Sequence, residues 1–363
     1  MSERLHINKT ESGDAYDIVI SGDYNKLPEE ISALSTFTRL CIVTDSNVGP
    51  LYAGRLQEIL RPICGEIYIY TFPAGEKNKT LSEIEGLYCF LMEHRFDRKD
   101  ILIALGGGVV GDMTGFAAAT YLRGIRFVQL PTTLLADTDS SIGGKTGVDL
   151  RSYKNMVGAF YMPSLVYISP GVLSTLPDRE FSSGMAEVVK HALIKDRLYF
   201  DFLSGNRDKI TALNQTVLEE MIFKSCRIKA RVVEDDPKES GERAVLNFGH
   251  TLGHAVENYM NFSLTHGECV SLGMAAALDI SRSRNYISED EVNAAKDLLA
   301  AFSLPVKLGR NTDTGKILEL SKSDKKMARN KLRFILLKEI GLAVIKTDVT
   351  DSEIEDSLKG ILE

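Results

Sequence analysis

Apolar positions in the first 170 residues come in short, nearly unbroken β-branched and aromatic runs: RLCIVTD (39–45), EIYIYTF (66–72), DILIALGGG (100–108), IRFVQLP (125–131) and SLVYIS (164–169). Helix-like segments separate them, and that alternation predicts a parallel sheet wrapped by helices. After Leu176 the β runs thin out, and EFSSGMAEVVKHALI, QTVLEEMIFKSCRIKARVV and HTLGHAVENYM repeat apolar residues at three- and four-residue spacing. The second half is therefore expected to be mostly helical. Pro170, Gly171 and Pro177 punctuate the join. The expected organisation is an α/β domain over 1–171 and an α-helical domain over 172–363, with a small-molecule cleft between them.

Composition narrows the function classes. With 363 residues, 44% hydrophobic and 26% charged, the chain is long enough for two cored domains. Its 43 basic and 50 acidic residues leave a net charge of −7, against a nucleic-acid or anionic-membrane partner. Any anion it binds must meet a local basic cluster. Five cysteines (Cys41, Cys64, Cys89, Cys226 and Cys269) form no CxxC pair, which fits reduced thiols. The opening MSERLHINKT has no apolar core, and no run nears eighteen apolar residues. A cytoplasmic chain without a membrane partner is expected.

The run ILIAL ends in Gly106-Gly107-Gly108-Val109-Val110-Gly111-Asp112 and leads into MTGFAAATYL, so the order is strand, glycine turn, helix. Such a turn lets a diphosphate approach the backbone at a helix N-terminus. It is also what any tight strand-to-helix turn looks like. The acidic ribose-binding residue expected about twenty positions on would fall near Leu130 and Pro131, and is absent there. A second string, SSIGGKTG, ends like a phosphate loop but has Asp139 where the pattern needs glycine. Lys145, among Gly143, Gly144 and Gly147, reads equally as a phosphate ligand or a solvated loop lysine.

Three of the six histidines, His250, His254 and His266, fall within seventeen residues. Three histidines, or two with a carboxylate, are the usual ligands of a catalytic zinc. His250 and His254, four apart, share a helix face, as a metal pair or as a core pair. Glu187 is the best carboxylate candidate; with Lys190 three residues on, it is either a functional pair or an ordinary surface ion pair.

With these residues placed, the chain resembles the 3-dehydroquinate synthases of the sugar-phosphate cyclase superfamily over nearly its whole length. The strings are LGGGVVGDMTGFAAATYLRGI, QLPTTLLADTDSSIGGKTGV, KNMVGAFYMP, GMAEVVKHALI, LNFGHTLGHAVE, THGECVSLGM and DKK, in the family's order. The resemblance implies a Rossmann-like dinucleotide-binding domain followed by a helical metal-binding domain, with NAD+ and a divalent ion, zinc or cobalt. It implies Glu187, His250 and His266 as metal ligands and moves His254 to the substrate pocket. NAD+ would meet Asp45, Asn47, Gly75, Glu76, Lys79, Gly107, Gly108, Val109, Gly111, Asp112, Thr132, Thr133, Asp139, Lys145, Lys154, Val172, Leu173, Ser174 and Thr175. The substrate would meet Lys145, Asn155, Lys190, Lys229, Arg243, Asn247, His254 and Lys325 or, preferred here, Lys326. Arg123 would reach a partner subunit's substrate phosphate in a homodimer. The implied reaction turns 3-deoxy-D-arabino-heptulosonate 7-phosphate into 3-dehydroquinate and phosphate.

Asp149, Tyr153, Pro237 and Cys269 depart from the family's usual residues without removing any of these groups. Cyclases of other sugar phosphates, simple polyol dehydrogenases and a non-catalytic NAD sensor are the rivals. Asn155, Asn247, His254 and the intact set of ligands and lysines speak for the first reading.

Overall fold

The structure, a computed structural model, describes residues 2–9, 13–151, 153–236, 241–328 and 333–363, the side chains of 323–328 excepted. Pro237 lies outside the described residues. The chain forms two compact units, one of Met1–Leu176 with Leu218–Lys238, the other of Pro177–Val217 with Glu239–Glu363. Leu218–Lys238, which the expected division at 171/172 puts in the second domain, groups with the first unit.

Among the described residues the first unit holds nine strands: β1 (Glu3–Ile7), β2 (Tyr16–Ile20), β3 (Arg39–Asp45), β4 (Glu66–Phe72), β5 (Ile101–Gly106), β6 (Arg126–Pro131), β7 (Lys145–Leu150), β8 (Tyr153–Phe160) and β9 (Leu165–Ile168). Seven form one sheet in the order β1-β2-β9-β6-β5-β3-β4, and β7 pairs with β8 alone. From β2 to β4 every pairing is parallel; only β1 runs antiparallel, against β2. The five apolar runs of the sequence are β3, β4, β5, β6 and β9. Successive residues feed opposite faces, so Leu40, Ile42, Ile101 and Ile103 join one core while Cys41, Val43, Leu102 and Ala104 join the other. A sheet covered on both faces explains why its central strands read as unbroken apolar runs.

The short β1 and β2 and the β7–β8 hairpin add to the strands expected. The glycines around Lys145 serve that hairpin: a Cβ on Gly147 would stand 2.6 Å from the Val157 carbonyl oxygen.

The second unit is helical, with a hairpin of Phe334–Glu339 and Leu342–Lys346. Its helices Asp178–Lys195 and His250–Tyr259 come from segments whose spacing predicts them, and His266–Ser283 is a further helix. Among the described residues no helix is long and apolar enough to cross a membrane.

Candidate active site

In the first unit the strand order itself builds a binding edge. β3 connects outward to β4 and its neighbour β5 connects the other way to β6, so the connections leave the carboxyl ends of this adjacent pair in opposite directions. Such a switch point opens a crevice beyond the strand ends, where parallel sheets hold nucleotides. The expected NAD+ residues lie there: Asp45 and Asn47 after β3, Gly75, Glu76 and Lys79 after β4, Gly107 to Asp112 after β5, Thr132 and Thr133 after β6, and Val172 to Thr175 after β9.

The chain is close-fitting at these turns. A Cβ on Gly106 would come within 2.3 Å of the Val110 side chain, so only glycine lets β5 turn directly into helix Gly108–Thr120. No side chain caps that helix, and its first N–H groups have no partner within the helix. The buried Thr132 hydroxyl has no hydrogen-bond partner among the described residues. Open N–H groups, a glycine cradle and an orphaned hydroxyl suit a dinucleotide's diphosphate. Asp45 is occupied locally: its Oδ1 accepts the N–H groups of Asn47 (2.8 Å) and Val48 (2.9 Å) and shapes the turn.

Lys79 links the expected cofactor and substrate residues. Its buried ammonium donates to Asp112 Oδ2 (2.6 Å) and Asn155 Oδ1 (2.5 Å). Burial raises the Asp112 carboxyl to about 6, against the pull of Lys79. Asp149, one of the departures, has a task here: its Oδ1 accepts the Asn155 N–H at 2.7 Å, holding a residue whose φ is +53°. Helix Gln215–Asp235 sends Lys229 to Asp139, with Nζ 2.5 Å from the carbonyl oxygen and 2.6 Å from Oδ1. One turn before it, Cys226 Sγ donates to the Asp137 carbonyl at 3.3 Å, so the helix holds the π-helical turn Ala136–Ser140 at two points.

In the second unit three helices meet around Glu187. Two glycines permit it: a Cβ on Gly267 would lie 2.1 Å from the Ser183 carbonyl oxygen, and one on Gly273 1.9 Å from that of Gly249. Without them the three backbones could not approach so closely. A capping box between Thr265 and Glu268 starts helix His266–Ser283 at His266, and Arg179 clamps Glu268 (2.7 Å). His250 Nε2 and His266 Nε2 each stand 3.6 Å from Glu187 Oε1, which has no hydrogen-bond partner among the described residues. The other carboxylate oxygen takes the Lys190 ammonium.

The electrostatics suit a cation. Burial would raise Glu187, but Lys190, His250 and His266 outweigh it and hold the carboxyl well below its ordinary range. Burial and the Lys190 charge push His250 down to about 3, leaving a neutral imidazole. Its Nδ1 lies 3.2 Å from the Phe248 carbonyl, so that nitrogen carries the proton and Nε2 keeps its lone pair. Burial lowers His266 too, yet its contact with Glu187 prevails and raises it. Ligands of a tetrahedral zinc with bonds of about 2.0–2.2 Å stand roughly 3.4 Å apart, so a small closure brings all three atoms into range.

The structure thus brings Glu187, His250 and His266 together, with Lys190 beside them. It seats His254 on the same helix face as His250, ring centroids 5.4 Å apart, but exposed. Arg243 is buried and Asn247 exposed in the 3-10 turn Glu242–Asn247. Lys145 and Lys154 are exposed in the β7–β8 hairpin. Arg123 is exposed on a turn where it and Leu122 have φ of +66° and +50°. The side chains of Lys325 and Lys326 lie outside the described residues. The sequence reading missed Glu257, whose signal is its place three residues after His254 in HTLGHAVE, and the buried Asp137.

Two family descriptions divide the chain: 3-dehydroquinate synthase N-terminal matches residues 69–183 and 3-dehydroquinate synthase C-terminal matches 184–327. A curated 3-dehydroquinate synthase of Ruminiclostridium cellulolyticum is 45% identical over 340 residues, 94% of each chain. The chain belongs to the 3-dehydroquinate synthase family. Membership bears out the expected enzyme class, and the fold agrees with it. The solved 2-epi-5-epi-valiolone synthase of Streptomyces hygroscopicus, with NAD+ and Zn2+ bound, superposes with a TM-score of 0.87 at 30% identity, covering 95% of this chain and 96% of that one. A 2-deoxy-scyllo-inosose synthase complexed with carbaglucose-6-phosphate, NAD+ and Co2+ gives 0.85 at 26% identity, covering 99% of this chain and 100% of that one.

Proposed function

We propose that this dehydroquinate synthase converts 3-deoxy-D-arabino-heptulosonate 7-phosphate to 3-dehydroquinate and phosphate, with NAD+ reduced and reoxidised in each turnover. The observation that carries the metal half is the partnerless Glu187 Oε1 facing two imidazole nitrogens. Glu187, His250 and His266 would hold the ion, zinc or cobalt, and the carboxyl edge of the sheet would hold NAD+. When bound, the ion supplies Lewis acidity to the substrate hydroxyl that NAD+ oxidises.

The chain's own groups do the rest by charge and position. Phe248 fixes the His250 tautomer, and Lys190 balances the buried carboxylate. Lys229 exchanges the Asp139 carboxylate for a substrate anion, and Lys145, Arg243, Asn155, Asn247 and His254 complete the polar contacts. These local cations locate a multiply charged substrate on a protein of net charge −7. Oxidation acidifies the neighbouring C–H, its proton passes to the departing phosphate, the returned hydride balances the electrons, and the ring then opens and recloses by aldol addition. The enzyme works as a homodimer in the cytoplasm, Arg123 serving the partner's phosphate site. Support comes from the strained turn that exposes Arg123 and from the free thiols.

The test is one assay with zinc, catalytic NAD+ and the heptulosonate phosphate, following phosphate and product mass, with sedoheptulose 7-phosphate in parallel. Equal rates of phosphate and 3-dehydroquinate formation without net NADH are expected. Turnover of the sedoheptulose phosphate alone would refute the substrate assignment.

A further inference from the structure

Glu187 is fully buried, so an ion bound there needs a way in. One helix face supplies further donors. His250, His254 and Glu257 stand at i, i+4 and i+7 of helix His250–Tyr259, a single stripe with His266 across from it. Nitrogen and carboxylate atoms of His254, Glu257 and His266 lie within 4.8 Å of one another, as do those of Glu187, His250 and His266. The two sets share His266, whose ring centroid is 5.3 Å from that of His250 and 6.1 Å from that of His254. Both carboxylates are buried, and the sets differ in access through their histidines: His254 is exposed, whereas no member of the inner set is. Both are two-histidine, one-carboxylate sets of the kind zinc accepts.

We propose that His254, Glu257 and His266 form a second, outer seat for the same divalent ion, through which it reaches the buried seat by pivoting on His266. The proposal rests on the reading of Glu187, His250 and His266 as the resident metal site. A neutral imidazole offers one lone pair, so His266 serves one ion at a time and the seats alternate. The ion keeps a protein ligand while the His254–Glu257 pair is exchanged for the Glu187–His250 pair. Glu257 is the distinguishing residue, since it belongs to the outer seat only.

The experiment loads metal-free full-length protein with Co2+ and follows its visible absorption by stopped flow, with total metal measured after gel filtration. Wild type is expected to hold one ion per chain. Glu257→Gln is expected to reach the same final content, which also reports that it is folded, but to load about tenfold more slowly, the smaller of the losses seen when metal-supporting groups are removed. Glu187→Gln is expected to retain a weaker ion with an altered spectrum, and Glu187→Gln/Glu257→Gln to lose it. Unchanged loading in Glu257→Gln, together with equal Co2+ affinity in the single Glu187→Gln and double variants, overturns the outer seat while leaving the inner one standing. Failure of wild type to hold any ion overturns both.

Discussion

Asp137 sits in the π-helical turn beside β6, fully buried, with neither carboxyl oxygen hydrogen-bonded among the described residues. Burial raises its carboxyl well above the ordinary range. The folded chain therefore keeps a proton that the unfolded chain releases above about pH 3.9. Between those two points the unfolded state binds one proton fewer, so the free energy of unfolding falls by about 1.36 kcal/mol for each pH unit gained. Asparagine has nearly the same shape and no proton to release. Asp137→Asn should gain stability relative to wild type as the pH rises from 5 to 7, at a slope of at most about 1.36 kcal/mol per pH unit, all other titrations being common to both proteins. Urea denaturation at pH 5, 6 and 7, followed by circular dichroism because the chain has no tryptophan, measures that difference. A difference that stays constant within about 0.5 kcal/mol across the range would show that Asp137 is not held protonated by the fold, and the reasoning would fail.

Lys79→Met strands Asp112 and Asn155 and should destabilise the first unit by about 3 kcal/mol, much of it recovered in Lys79→Met/Asp112→Asn; a double-mutant cycle by urea denaturation checks this. Gly267→Ala forces helix His266–Ser283 away from the Ser183 carbonyl, so bound zinc, measured by mass spectrometry, should fall more sharply than the roughly 1–3 kcal/mol lost in melting. If Arg123 acts across a dimer, mixed Arg123→Ala and Lys190→Ala chains, each inactive alone, should regain activity on subunit exchange. No recovery despite demonstrated exchange counts against a cross-subunit role.

The parallel strands were legible because a sheet buried on both faces needs unbroken apolar runs, and β3, β5, β6 and β9 supply them. The β7–β8 hairpin was not, since β8 is largely exposed and carries no alternation of buried and exposed residues. Its backbone pairing with β7 holds it, and Gly143, Gly144 and Lys145 instead suggested a phosphate loop. Clustering alone pointed to the histidines, and spacing favoured His250 with His254. Which nitrogens face Glu187 depends on helix contacts made by Gly267 and Gly273, which periodicity does not record. Only the ordered resemblance of the strings put His266 in the set. The segment QTVLEEMIFKSCRIKARVV reads as one more amphipathic helix, and nothing in its pattern says which unit it joins.

That segment bears on the order of events during synthesis. The sheet is complete once Ile168 has left the ribosome, but Cys226 and Lys229, which hold the turn at Asp137 and Asp139, are made some sixty residues later. Domains usually fold as they emerge, first part first. Here the nascent first unit must wait with that turn unsupported while Pro177–Val217, destined for the other unit, passes by. A chain released at residue 183, where the family's two halves divide, would keep every strand of the sheet and still lack the lysine that locks Asp139 in place.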